Sequence, residues 1–147
     1  MCNHSLTRRE AMRLGGAGLL SSALASPLLA TLNQAEGKKV LYCTKSSGFE
    51  HSVVKRTEDR LSYSEKILVE VGKRYGFEVT PTKDGRVFDG DHEKYDAYIF
   101  YTSGDLTKVG PDGAPAMSAK GKQALLDAVR GGKGVLGIHA ASDTVTF

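Results

Sequence analysis

Lys39-Val40-Leu41-Tyr42-Cys43-Thr44 is the stretch from which the fold is read. Val40 through Cys43 are apolar without a break. A strand with one wet face alternates apolar and polar residues, whereas a run apolar on both faces fits a strand buried on both sides, as in a parallel sheet. Lys45 to Ser52, just after it, is polar and contains Gly48, hence a loop. Ser62-Tyr63-Ser64-Glu65 has the S-x-x-E form of a capping box. Ile67, Leu68, Val71 and Tyr75 follow at helical spacing, and Gly76 is a natural C-terminal stop. Phe77-Glu78-Val79-Thr80 is a second strand, arriving at once. Strand, helix and strand within about 45 residues make a βαβ unit, right-handed on steric grounds.

The alternation continues. Lys83 to Lys94 is polar, with Val87 and Phe88 as its apolar anchor. At most one short helix is expected there, and His92 is expected at the surface. Ala97-Tyr98-Ile99-Phe100-Tyr101 is a third strand, and Thr102 to Pro115 a loop carrying Gly104, Gly110, Pro111 and Gly113. A second helix is expected from about Ser118 to Arg130, with Leu125, Leu126 and Val129 inward, ended by Gly131-Gly132. Gly134-Val135-Leu136-Gly137-Ile138 is a fourth strand. The pattern predicts an α/β architecture, an open parallel sheet with helices on both faces. The sequence stops nine residues past Ile138, and no helix follows to cover that strand. The sheet therefore reads as incomplete at the C-terminus.

Residues 1–35 read as an export signal and linker, and residues 36–147 as the folded part. Thr7-Arg8-Arg9-Glu10-Ala11-Met12-Arg13 is a twin-arginine run, and the segment from Leu14 to Leu24 has no charge. Ala23-Leu24-Ala25 is a small-x-small exit, with Leu28-Leu29-Ala30 a second; cleavage is expected within Ala25–Ala35. The apolar stretch is too short to span a bilayer, which needs about 20 apolar residues. The expected location is periplasmic or extracellular, with no stable membrane span after cleavage. The remainder carries 17 basic and 16 acidic residues. That balance gives no polybasic surface, which argues against nucleic acid as a partner. Cys2 leaves with the signal, so Cys43 has no intramolecular partner. In an apolar strand it reads as a buried, inert thiol.

Two runs carry the chemistry. Gly48-Phe49-Glu50-His51 follows the first strand, and Gly137-Ile138-His139-Ala140-Ala141-Ser142-Asp143-Thr144 closes the fourth. Ligands in open α/β sheets sit at the carboxyl ends of the strands, so both histidines are expected on one rim. His51, His139 and Asp143 are the candidate catalytic residues. Imidazole titrates near neutral pH and suits general acid/base work, and Ala140 and Ala141 leave room beside His139. The plainer reading keeps the histidines structural or solvated, and makes Asp143 a helix cap. Thr44, Ser47, Phe49, Asp105 and Ser142 are the candidate ligand-binding residues. Phe49 could stack on a sugar face or pack under the loop, and Asp105 could equally stabilise a turn. No cofactor is evident. A divalent metal on His51 and His139 with one carboxylate is the other use of these groups. Neither H-x-x-x-H nor C-x-x-C spacing supports it. No G-x-G-x-x-G or G-K-[ST] motif marks a phosphate loop.

From Lys39 onward the chain resembles the ThuA-like (trehalose utilisation) family. The resemblance rests on Gly48-Phe49-Glu50-His51, Tyr75-Gly76-Phe77-Glu78-Val79, Tyr95-Asp96-Ala97-Tyr98 and, most specifically, Gly132-Lys133-Gly134-Val135-Leu136-Gly137-Ile138-His139-Ala140-Ala141. It implies a class I glutamine amidotransferase-like, or flavodoxin-like, fold and a role with carbohydrate, either trehalose or keto-glycosides. Members of the family are longer at the C-terminus. Amidotransferases carry a cysteine within Gly-x-Cys-x-Gly at the turn after this strand. Here His139 stands at that position, and a thiolate mechanism has no thiol to use. The expectation is a carbohydrate-active protein outside the cytoplasm, with a small-molecule sugar as its partner. The alternatives are a non-catalytic sugar- or partner-binding module, or an inactive truncated fragment.

Overall fold

The computed structural model describes residues 37–58 and 60–144. The export segment read over residues 1–35 lies outside them. Strands β1 (Lys39–Cys43), β2 (Glu78–Thr82), β3 (Ala97–Tyr101) and β4 (Gly134–Ile138) form one sheet in the order β2-β1-β3-β4, and every pairing is parallel. With helices on both faces, this is an open flavodoxin-like α/β sheet. β1 lies inside it, and Leu41, Tyr42 and Cys43 are all buried, as a run apolar on both faces requires. The chain leaves β1 toward β2 on one side and returns to β3 on the other. The crevice of such a sheet opens at that reversal, beyond the carboxyl ends of β1 and β3.

Helix α1 (Tyr63–Tyr75) connects β1 to β2. Its N-terminus is the capping box read from the sequence: the Ser62 hydroxyl accepts from the Glu65 amide, and the Glu65 carboxylate accepts from the Ser62 amide at 2.8 Å. Gly76 ends it in the left-handed region, at φ 79°. Its apolar stripe is only partly inward. Ile67 and Tyr75 are exposed, and the buried residues are Glu65 and Gly72. A β-carbon on Gly72 would come within 2.6 Å of the Phe77 carbonyl oxygen and 2.8 Å of Val79 Cγ2. The helix thus settles on its glycine against the start of β2, which turns part of the apolar stripe outward.

Helix α2 (Ala119–Arg130), capped by Ser118, packs on the other face. There Leu41, Cys43, Tyr98 and Phe100 meet Phe88, Met117 and Leu125 in the main core. Leu125 is inward as expected, Leu126 is half-buried and Val129 is exposed.

The connector from β2 to β3 corrects two expectations. It forms two 3₁₀ turns, η1 (Gly85–Asp89) and η2 (Asp91–Lys94), where at most one short helix is expected. His92, expected at the surface, is buried, with Nδ1 3.0 Å from the Tyr98 hydroxyl, which also donates to the His92 carbonyl at 3.2 Å. A tyrosine inside the core needs a partner for its hydroxyl, and His92 supplies it. β2 also runs past Pro81 to Thr82, where the sequence reading stopped at Thr80. Proline is tolerated because β2 is an edge strand.

β4 is the opposite edge. Gly134 through Gly137 are exposed, Val135 and Leu136 among them. Among the described residues, no helix is long and apolar enough to cross a membrane.

Candidate functional site

The site is built where β1, β3 and β4 end. β1 and β4 are not neighbours, so the loop after β1 must cross the end of β3 to bring His51 near His139. A parallel bridge between Ser46 and Ser103 starts that crossing. The Ser47 amide then donates to the Ser103 carbonyl at 2.9 Å, and the Ser103 hydroxyl donates to the Phe49 carbonyl. Gly104, at φ 71°, lets the two loops touch, since a β-carbon there would lie 2.8 Å from the Gly48 amide nitrogen.

At the end of this path the His51 ring lies 4.5 Å from the His139 ring, centroid to centroid, at an interplanar angle of 67°. Phe49 meets His51 at 4.8 Å, edge to face, and Tyr101 lies 6.3 Å from His139. The result is a row of four rings, Phe49, His51, His139 and Tyr101, along the rim. Phe49 is 72% exposed, so one end of the row is open to solvent. His139 follows β4 directly and opens a 3₁₀ turn, η3 (His139–Asp143). Its φ is 61°, in the left-handed region that non-glycine residues rarely occupy. Strand, strained residue and helical turn in succession make an elbow, and His139 on it is exposed.

The remaining candidates are placed less centrally. Asp143 is exposed, and its contact is the Ser142 hydroxyl at 3.4 Å. Ser142 lines an apolar cleft of about 180 Å³ with Phe100, Leu126, Val129, Val135 and Ala141. Thr44 is fully buried and donates to Glu65 Oε1 at 2.6 Å, so its hydroxyl is committed to the fold. The Ser47 hydroxyl donates to the Asp105 carbonyl. The Asp105 carboxylate accepts from the Thr107 hydroxyl and amide, at 2.7 and 2.9 Å, and these bonds hold it below the usual carboxylate range. Asp105 thus stabilises its own turn. Burial pushes the Cys43 thiol up to about 11, leaving no thiolate near neutral pH. Among the described residues, no set of three or more His, Cys, Asp or Glu is arranged to hold a metal ion.

Several contributors were not read from the sequence. Tyr101 closes the ring row. Glu65, fully buried, accepts from Arg56 Nε at 2.9 Å and from Arg56 Nη2 at 3.0 Å. Lys83, just past β2, pairs with both Glu50 and Asp112. Lys45, also fully buried, donates to the Ala114 carbonyl at 3.0 Å, and burial pulls its ammonium below the ordinary lysine range against the opposing charge of Asp112. The Thr102 hydroxyl, also at the rim, is buried without a hydrogen-bond partner among the described residues. A signal for Glu65 was present in the capping box, but that motif says nothing of Arg56 or Thr44.

Compared with models of protein families, with curated proteins and with solved structures, the chain matches none.

Proposed function

We propose that this is a ThuA-like protein acting on carbohydrate outside the cytoplasm, with His51 and His139 as an acid/base pair at the strand ends. One observation carries the reading: His139 stands on a strained elbow, φ 61°, with its ring 4.5 Å from that of His51. Strain of this kind persists where surrounding structure enforces it and clusters at functional sites. Two imidazoles side by side can divide the work, one accepting a proton while the other donates one. Phe49 adds an exposed apolar face of the kind on which a sugar ring stacks. The substrate class is an oxidised (keto) disaccharide or glycoside, undergoing hydrolysis or isomerisation. Among the described residues Cys43 is the only thiol, and its burial argues against the thiolate chemistry of glutamine hydrolysis.

The test is turnover of keto-disaccharides by the wild-type chain and by His51→Ala and His139→Ala. Each variant should lose about 10²-fold or more in kcat, the usual scale for general acid/base catalysis. Unchanged turnover in both would return the histidines to a structural role.

A second reading is favoured by a specific observation. Among the described residues, neither imidazole has a carboxylate partner to orient it. A non-catalytic sugar-binding module needs no such orientation, and fold does not fix function. Under that reading both alanine variants lose sugar binding, and wild type shows binding without turnover.

A further inference from the structure

We infer that Lys83 is the positioning residue of His51, a role that rests on the reading of His51 as part of the site. Glu50 and His51 are adjacent, yet their side chains reach toward opposite edges of the sheet along the same rim. His51 meets His139 at the end of β4, while Glu50 meets Lys83 at the end of β2, the other edge strand. The segment is therefore held from both sides. The Ser46 and Ser47 contacts to Ser103 anchor its approach, the His51 carbonyl accepts from the Val54 and Lys55 amides at 3.0 and 3.1 Å beyond it, and the Glu50–Lys83 pair is the side-chain tie between them.

The pair is not a surface ornament. The Lys83 side chain is 8% exposed and that of Glu50 is 11% exposed. A buried ion pair holds its geometry because each charge, left alone, would have to find water. The same ammonium takes Asp112 from the loop before α2. Asp112 in turn accepts from the Ala114 amide at 3.0 Å, and the Ala114 carbonyl accepts from buried Lys45. One cation thus ties three segments of the rim: the end of β2, the loop after β1 and the loop after β3. Without it, Glu50 would turn toward solvent, and the neighbouring His51 would turn with it.

The test uses the full chain without any sugar. Through-space nuclear Overhauser cross-peaks are measured between the ring protons of His51 and His139. Lys83→Met and Glu50→Gln should each weaken the cross-peak by about fivefold, as for a loop freed to open locally. Backbone amide signals of β1 and β3 should stay at their wild-type positions. Lys83→Arg, which keeps the charge, should retain the cross-peak. Full intensity in both Lys83→Met and Glu50→Gln overturns the inference, as does a missing cross-peak in wild type. If Lys83→Met fails to fold, Glu50→Gln decides alone by the same two outcomes. Because no ligand is present, failure of wild type to act on or bind keto-sugars would sink the proposed function while leaving this comparison intact.

Discussion

At the scale of single residues, the backbone of His139 separates function from stability. A left-handed non-glycine residue costs about 1–2 kcal/mol, which glycine avoids, while glycine loses about 0.4–1 kcal/mol through unfolded-chain entropy. His139→Gly should therefore melt within a few degrees of wild type and still lose activity. His139→Val, β-branched at φ 61°, should melt distinctly lower. Glu65 gives a pH signature. Burial alone would raise its carboxyl, but the hydrogen bonds from Arg56, Thr44 and the Ser62 amide outweigh burial and set it below the usual range. Its contribution is complete above the unfolded-state value of about 4.3 and is lost as pH falls through the lower folded value. Urea midpoints should drop below about pH 4, and Glu65→Gln should flatten that drop while costing about 3 kcal/mol at neutral pH. The histidines were legible because each ends an apolar run. Lys83 was not, since its partners Glu50 and Asp112 lie 33 and 29 positions away and no local spacing joins them.

At the scale of elements, signals within a few residues were legible and those made by packing were not. Ser62 and Glu65 announced the start of α1, and Gly76 its end, because capping is local chemistry. The direction α1 faces was not legible from Ile67 and Tyr75, because Gly72 and the start of β2 decide it. Gly72→Ala tests this. Alanine would favour the helix by about 1 kcal/mol, but overpacking against the Phe77 carbonyl and Val79 costs about 1–3 kcal/mol. The thermal midpoint should fall, whereas the same change at a solvent-facing helical position would raise it. The turns at 85–94 escaped reading because 3₁₀ segments of one turn carry no period. Phe88 was seen as their anchor, but the pairing of His92 with Tyr98 is a tertiary contact.

At the scale of the whole molecule, the order β2-β1-β3-β4 places β4 at an edge with Val135 and Leu136 exposed. An uncharged, apolar edge strand with free backbone groups is a template for pairing with another chain. Sedimentation of this 147-residue chain should show concentration-dependent self-association, reduced in Leu136→Lys; a strictly monomeric 147-residue chain would refute this. Parallel topology was legible from the alternation of strands and helices, and with it the common rim. The row from Phe49 to Tyr101 was not, because the crossing of β3 depends on Ser103 and Gly104. The proposed function requires His51 and His139 to work as one site on carbohydrate. It is tested most directly by titrating a keto-disaccharide into the full chain while following both imidazole ring signals by NMR. The two signals should move together with one shared midpoint. If neither signal moves while the protein stays folded and the sugar is in large excess, the claim is wrong.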